Sequence, residues 1–493
     1  MAHAPAAPSN APLLTQIKSF DRTFWIANFM EVLERFAYYG VRTVLPTYMV
    51  LSLAEGGPEF NHLDKGFIYA WWALVQSLLP MFTGGFADRY GYKNTITIAI
   101  ILKIIGYLLM AHMMSFWGFF IGCMFLAAGT AVFKPGVQGL LANVMKKEYA
   151  SVGWGLFYQL VNIGGFLGPI LAGYLRLMDW KYVFYACAAI VSLNFLTLLA
   201  FEEPSHAEGN KDERNPIEIL VQSVSGLFRP RIITFILLFS GFWFMFNQIF
   251  DILPNFLDDW VDSSVLWRIW ADLGIPGSTL ATEMAAKGAP FNQEWLINLN
   301  PGLIIFLMLP IAWLTNFTTP LRSILIGVFI ASAGTLFIGF STSVWLCIGA
   351  VLVFSVGEMC SSPKKMEYLA SLAKPGEEGL YMGYANVPLA IGWGLGSMAG
   401  GYFYENFGDR TNLARNHLVN ELDVPRLVAN AVPKDDVLGV LAGLMQRSEA
   451  ETVQFLWQTY HPGQMWIIFS GIGLLSLVGL AVYDMVLRRV DAS

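Results

Sequence analysis

The sequence predicts an all-α membrane protein with twelve transmembrane helices. Hydrophobic residues make up 55% of the 493 residues and charged residues only 13%, against about 25% charged in a typical soluble chain. A spanning helix needs about 20 mostly apolar residues, and twelve such stretches follow one another along the chain. None shows the two-residue alternation of a membrane β-barrel. This composition excludes a disordered protein and a disulfide scaffold, and it is unlike that of a soluble enzyme.

The predicted spans fall into two groups of six around a charged segment. The first six lie at 24–53, 66–87, 94–113, 116–145, 151–177 and 182–201. The second six lie at 232–256, 299–316, 321–341, 344–371, 378–405 and 464–487. The sequence therefore predicts a six-helix bundle over 1–201, a cytoplasmic linker over 202–230 and a second bundle over 231–493. Two bundles with a central linker are typical of transporters whose site lies between the halves.

Two long loops interrupt the second half and are predicted on the outer side, at 257–298 and 406–463. We expect both to carry some helix, the second of them near 436–450. Short loops rich in Lys and Arg stay in the cytoplasm, which predicts that both termini lie inside an inner (plasma) membrane. The basic residues assigned to that side are Arg89, Lys93, Lys146, Lys147, Arg322, Lys364, Lys365, Lys374, Arg488 and Arg489.

Several partner classes are not expected from this sequence. A net charge of -6 gives no sign of nucleic-acid binding. We find no phosphate-binding loop, nucleophile elbow or metal-spaced His/Cys cluster, so neither an enzyme nor a cofactor is expected. The four cysteines lie in apolar runs and are interpreted as core residues. The expected partners are the lipid bilayer and a small-molecule substrate.

The first span carries four charged residues within twelve positions: Glu31, Glu34, Arg35 and Arg42. At 100° per residue these charges and Tyr38 fit one helix face about 100° wide. A charge at the bilayer centre costs about 2.5–3.5 kcal/mol on insertion scales. Such a stripe predicts a wet or protein-lined cavity beside this helix.

Other spans add single charges, namely Lys134, Glu358, Asp251 and Lys103. Glu31, Glu34 and Glu358 balance Arg35, Arg42 and Lys134, and pairing would lower their burial cost. Structural pairing that fixes helix register is an open alternative for this set. For Asp251 and Lys103 the structural interpretation is preferred, and Lys103 has no identifiable partner and is expected to extend towards the interface.

A functional interpretation of the same charges is proton coupling. A buried carboxylate beside a cation can exchange that partner for a proton. If a substrate competes for the same cation, protonation and loading become linked. No histidine lies at mid-span, so carboxylates are expected to carry the proton.

Several motifs resemble those of the proton-coupled oligopeptide transporters, within the major facilitator superfamily. Residues 31–40 (EVLERFAYYG) resemble the ExxERFxYYG signature of that family, and Phe-Lys-Pro at 133–135 resembles its fourth span. The remaining similar segments are the DRxGxK-type loop at 84–93, FYQLVNIG at 157–164, Asn-Pro at 300–301 and GEMCSSP at 357–363. The resemblance covers nearly the whole chain in order.

The resemblance implies roles for individual residues. Glu31, Glu34 and Arg35 would couple protons with Lys134 as the exchange partner. Arg42 and Lys134 would hold a substrate carboxylate, and Glu358 an amino group. The full substrate-binding set would be Tyr38, Tyr39, Arg42, Lys134, Asn162, Trp243, Asn247, Asn300 and Glu358. The gating set would be Asp88, Arg89, Lys93 and Asp251. The implied activity is proton-driven import of short peptides or peptide-like zwitterions.

The sequence also departs from that family at pocket positions. Asn247 stands four residues after Trp243, where the family has a Glu that pairs with the first-span arginine. Asp251 is one turn further on and could replace it. Ala385 and Ser77 stand where aromatic side chains are expected. Two alternatives therefore remain open: a proton-coupled carrier of a non-peptide solute, such as a nucleoside, organic anion or drug, and a non-transporting membrane sensor.

Overall fold

The computed structural model describes residues 12–145, 149–203, 225–274, 276–315, 317–373, 381 and 383–492. The side chains at 13, 81–90, 150–151 and 490–492 lie outside this description. Helices dominate the described chain, and its only β-type pairing is an isolated bridge between Asp262 and Ser343. The predicted all-α class is confirmed.

Twelve helices occupy the positions of the twelve predicted spans. In the first half they are α1 (Arg22–Tyr48), α2 (His62–Tyr90), α3 (Tyr92–His112), α4 (Phe116–Val144), α5 (Ala150–Arg176) and α6 (Trp180–Ser192, continued by Asn194–Leu199). In the second half they are α7 (Pro230–Asp251), α8 (Leu299–Thr315), α9 (Pro320–Ile338), α10 (Val344–Leu372), α11 (Val387–Phe403) and α12 (Met465–Ala492).

Length and apolar composition alone identify nine membrane-crossing helices among the described residues. The other three are α1, α2 and α11. Helix α1 carries the charged stripe, and α11 is 17 residues long. The side chains of α2 beyond residue 80 lie outside the description. A rule based on hydropathy thus leaves α1 out of the membrane-crossing set because of the charged residues that predict a functional site.

Both long loops contain helices, as expected. The first contains Val265–Leu273, Ser278–Ala286 and Gln293–Ile297, and the second contains Arg410–Asn420, Arg426–Ala431, Val437–Met445 and Glu449–Tyr460. The helix predicted near 436–450 is in fact two. Gln446 adopts a left-handed conformation (φ 53°) after the first helix. Ser448 and Glu451 then form a capping box that starts the second.

The two halves meet along α2 and α11, where glycines let the backbones approach closely. A Cβ on Gly66 would lie 2.5 Å from the Ser397 carbonyl oxygen, and one on Gly401 would lie 2.3 Å from that of His62. These contacts lie near the start of α2 and the end of α11. We call this side, which carries the loops 49–61, 252–298 and 404–464, the long-loop end.

The structure corrects one detail of the orientation argument. Lys364 and Lys365 lie inside α10 rather than in a loop, and Lys364 is buried. Residues 146–147 and 374 lie outside the described residues. The remaining loop charges leave the inward orientation of the termini a prediction. The bundle boundaries at 1–201, 202–230 and 231–493 also stay predictions, since most of the linker is not described.

Candidate functional site

A buried ionic cluster surrounds the charged stripe of α1. Arg35 Nε lies 3.2 Å from Glu31 Oε1, and the same guanidinium contacts the Glu34 carboxylate. The Lys103 ammonium of α3 contacts the other oxygen of Glu34. All four side chains are buried. The stripe therefore faces protein, as the periodicity predicts.

Lys103 corrects the sequence analysis, which assigned it no partner. It is completely buried and is ion-paired with Glu34 rather than extended towards the interface. Its position near the middle of the apolar helix α3 was the available signal, because a buried ammonium requires a counter-charge. The identity of that counter-charge depends on how α1 and α3 pack, which neither helix encodes alone.

Lys134 of α4 lies beside this cluster without joining it. It interacts electrostatically with Arg35 and Glu31, yet no described carboxylate lies within ion-pair distance of its ammonium. Glu31 Oε2 is buried and has no hydrogen-bond partner among the described residues. Proton exchange requires a carboxylate with an unpartnered oxygen and a nearby cation without an ion pair, and both are present here.

Glu358 of α10 is hydrogen-bonded by a neighbouring helix of the second half of the chain. Asn300 Nδ2 of α8 donates hydrogen bonds to Glu358 Oε2 (2.7 Å) and to Ser355 Oγ (2.9 Å). Asn300 is buried and Glu358 is half-buried. The predicted proximity of Glu358 and Asn300 is thus present in the structure.

Three tyrosines and an asparagine lie near these charged groups. The Arg35 guanidinium lies 4.9 Å from the ring centroid of Tyr38 and 5.9 Å from that of Tyr39. Asn162 of α5 donates to the Tyr158 carbonyl at 2.8 Å. Tyr158 interacts electrostatically with both Tyr39 and Glu358.

The predicted residues of α7 have an unexpected neighbour. Trp243 is buried, and its indole N–H has no partner among the described residues. Asn247 Nδ2 donates to the Trp243 carbonyl at 2.7 Å, within its own helix. The Lys365 ammonium of α10 lies 4.1 Å from the Trp243 ring centroid. Lys365 also interacts electrostatically with Lys134 and Glu358. Sequence reasoning counted Lys365 among the cytoplasmic charges, although the predicted span at 344–371 included it, and assigned no site role to it.

We use the name central site for this group on both halves of the chain. Its members are Glu31, Glu34, Arg35, Tyr38, Tyr39, Lys103, Lys134, Tyr158, Asn162, Trp243, Asn247, Asn300, Glu358 and Lys365.

Arg42 lies in a different place from the rest of its predicted set. Its guanidinium contacts the Asp251 carboxylate and donates to the Phe250 carbonyl at 3.5 Å. Asp251 Oδ2 also accepts from Trp393 Nε1 (3.0 Å) and Ser397 Oγ (2.7 Å). Asp251 thus supplies the carboxylate that Asn247 cannot. Arg42 is occupied by this pair in the present conformation, and its role towards substrate stays a prediction.

Further polar contacts close the long-loop end across the halves. Lys65 Nζ donates to Asn255 Oδ1 (2.6 Å) and to the Asp251 carbonyl (3.1 Å). His62 Nε2 lies 3.0 Å from Asp409 Oδ2. Arg176 Nε lies 2.7 Å from Glu294 Oε1, and this ion pair also joins the two halves at this end.

The predicted gating residues at the opposite end are only partly described. The side chains of Asp88 and Arg89 lie outside the described residues. The Lys93 ammonium lies 4.9 Å from the Phe201 ring centroid. The Lys93 backbone N–H donates to Glu203 Oε1 at 3.4 Å, at the start of α3. The gating role of all three stays a prediction.

Sequence comparisons point to transport proteins. Residues 25–259 match the family described as Major Facilitator Superfamily. A multidrug resistance protein MdtH from Proteus mirabilis is 23% identical over 80% of this chain and 89% of its own. An uncharacterized transporter YclF from Bacillus subtilis is 24% identical over 70% of this chain and 80% of its own.

Solved structures agree with this fold. A peptide transporter POT in complex with sulfate superposes with a TM-score of 0.66 at 17% identity, covering 97% of this chain and 99% of that one. A mutant of the nucleoside transporter NupG gives a TM-score of 0.65 at 12% identity, covering 94% and 100%. The twelve helices, the match over residues 25–259 and these structural neighbours indicate a multi-pass membrane protein that has the fold of the major facilitator transporters and is similar to them.

Proposed function

We propose that this protein is a proton-coupled symporter that imports short peptides or peptide-like zwitterions by alternating access. The observation that carries the proposal is the arrangement of the central site. Lys134 lies beside the buried Glu31–Arg35 pair without an ion pair among the described residues. Glu358 lies on the other half and is bound by Asn300, and Lys365 interacts electrostatically with both Glu358 and Lys134.

The charges support a coupling scheme. A substrate carboxylate would bind Lys134, and its ammonium group would bind Glu358. A substrate carboxylate bound to Lys134 would neutralise that ammonium group. The Glu31 carboxylate would then lose the stabilisation of a nearby cation in a low-dielectric site, which favours a proton on its unpartnered oxygen. Proton and solute loading would then be linked. The contacts at the long-loop end correspond to one gate of the alternating cycle.

The similarity to solved peptide transporters supports this proposal. One of them is a POT family transporter in complex with a thioalcohol-conjugated peptide, with a TM-score of 0.62. The motif at 31–40 supports the same substrate class.

Proteoliposome uptake under an imposed pH gradient tests the proposal. We expect Glu31→Gln and Lys134→Ala to abolish gradient-driven uptake of a dipeptide such as Ala-Ala while leaving membrane insertion intact. Glu283→Gln and Lys287→Ala are matched controls, since this exposed pair lies outside the membrane helices. Undiminished uptake by either central-site variant, or no uptake by the unmodified protein under any gradient, contradicts proton-coupled peptide import.

A proton-coupled carrier of a non-peptide solute is the second candidate. Asn247 bonds to its own helix instead of offering a carboxylate, which alters the family pocket. The relatives named as multidrug resistance proteins, and the nucleoside transporter among the structural neighbours, are consistent with this alternative. A counterflow panel of dipeptides, nucleosides and cationic drugs separates the two candidates by which class exchanges with label.

A further inference from the structure

The charges at the central site do not balance. The positive groups are Arg35, Lys103, Lys134 and Lys365, and the negative groups are Glu31, Glu34 and Glu358. Arg42 does not enter this count because Asp251 neutralises it elsewhere. One positive charge is therefore in excess when all seven groups are ionised. A simple zwitterion has no net charge and would leave this excess uncompensated.

The excess positive charge lies at Lys134 and Lys365. Arg35 and Lys103 are paired with the carboxylates of α1. Lys134 and Lys365 come from opposite halves, and their ammonium groups repel each other. Neither has an ion pair with a described carboxylate. Lys365 interacts electrostatically with Glu358, whose Oε2 is bound by Asn300 at 2.7 Å.

A neutral donor completes the arrangement. The Trp243 indole N–H is buried without a partner among the described residues, and the Lys365 ammonium lies over its ring. A buried donor without an acceptor destabilises the folded state. An anionic oxygen that reached this N–H beside Lys365 would supply the missing acceptor. The ring holds the ammonium near that position by a cation–π contact.

We propose that Lys365 and Trp243 form a second anion subsite, and that the preferred solute carries two anionic groups, one for Lys134 and one for Lys365. An acidic peptide, with two carboxylates and one ammonium group, carries the net charge of −1 that balances the excess. A non-peptide organic dianion shares the two anionic groups but carries one negative charge more. The inference rests on the proposed function only in assuming that solute binds at the central site. It does not require proton coupling.

Equilibrium binding to the purified full-length protein tests the subsite. The probes are two pairs that differ by one negative charge: Ala-Glu with Ala-Gln, and succinate with succinamate. We expect the unmodified protein to bind the acid of at least one pair about tenfold more tightly than its amide. A preference within the peptide pair identifies an acidic peptide, and one within the succinate pair alone identifies a non-peptide dianion.

Variants assign the preference to Lys365. Lys365→Gln should reduce it to less than twofold, and Lys365→Arg should retain it. Lys364→Gln is the matched control, because this neighbouring lysine bonds to Glu367 at 2.7 Å instead of Trp243. The control should keep the full preference.

Contrary results are distinct from failure of the proposed function. No acid preference in either pair, including no binding of either acid, overturns the subsite. Equal loss in Lys365→Gln and Lys364→Gln also overturns it, because a general charge effect would then explain the data. A retained acid preference without gradient-driven uptake refutes proton coupling and leaves the subsite standing.

Discussion

The long-loop end and the central site treat buried charge in opposite ways. At the long-loop end Arg42 and Arg176 contact the carboxylates of Asp251 and Glu294, and Lys65 donates to the neutral Asn255. At the central site Lys134 and Lys365 have no ion pair among the described residues. Charged groups that have partners stabilise one arrangement of the halves, whereas charged groups without a counter-charge can bind a ligand. The comparison separates residues that maintain a conformation from residues that bind.

The largest expected effect comes from breaking the Arg42–Asp251 pair at the long-loop end. Asp251→Asn leaves the Arg42 guanidinium buried without a carboxylate, which costs about 3–5 kcal/mol for such pairs. We expect a large drop in thermal stability in detergent. Adding Arg42→Gln should recover part of the loss. If the double variant is as unstable as the sum of the single variants, the pair is not coupled and the comparison fails.

The next effect concerns the glycine contact between α2 and α11. In Gly66→Ala the new Cβ would meet the Ser397 carbonyl oxygen at 2.5 Å. Overpacking of this kind costs about 1–3 kcal/mol, and it should lower the denaturation midpoint. Gly394→Ala is the matched control on α11, because its Cβ would have no neighbour closer than 3.8 Å. Equal midpoints for both variants would exclude a tight contact at Gly66.

A smaller effect is expected at the central site. Glu358→Gln should weaken free-amine substrates about tenfold more than amine-blocked analogues, since the carboxylate is the group expected to bind the ammonium. Competition against labelled substrate measures both. An equal loss for both classes would assign Glu358 a structural role and remove this side of the comparison.

A further expected effect is a pH dependence at the long-loop end. Burial raises the pKa of Asp258 to about 7; the Arg176 guanidinium opposes this shift, and Glu294 adds to it. The ordinary value is about 3.9. The folded protein thus holds the proton more tightly than the unfolded chain, so this stabilisation is full below about pH 4 and is lost as the pH rises to about 7.

Denaturation midpoints at pH 5 and pH 8 check this dependence. Asp258→Asn should lose less stability between these values than the unmodified protein does. Asp272→Asn, at an exposed position of the loop helix Val265–Leu273, should behave like the unmodified protein. A steeper decline in Asp258→Asn would reverse the sign of the argument.

Much of the fold was predictable because it depends on composition and local periodicity. Twelve helices arise from twelve apolar stretches, and the charged face of α1 follows from residue spacing alone. The partners of Glu34 and Arg42 lie 69 and 209 residues away in sequence. Such pairs depend on the relative packing of helices, which one helix does not encode. Asp251 was found because the family pattern placed a carboxylate one turn earlier.

Lys365 shows the corresponding limit at the site. The sequence places two lysines just after Pro363, near the end of an apolar run, and that pattern resembles a membrane boundary. The predicted span at 344–371 nevertheless included both lysines, and in the structure α10 ends at Leu372. Adjacent positions on a helix point about 100° apart, so Lys364 bonds to Glu367 while Lys365 lies over Trp243. Only the packing of α7 against α10 distinguishes the two.

The two lysines without carboxylate partners have an electrical consequence. Moving one elementary charge through the full membrane field changes the energy by about 2.3 kcal/mol per 100 mV. An empty carrier with its excess ammonium charge would feel the transmembrane voltage during reorientation, whereas a carrier loaded with a compensating solute would feel it less. Membrane potential would then act mainly on the return stroke, and currents measured without solute would reveal it.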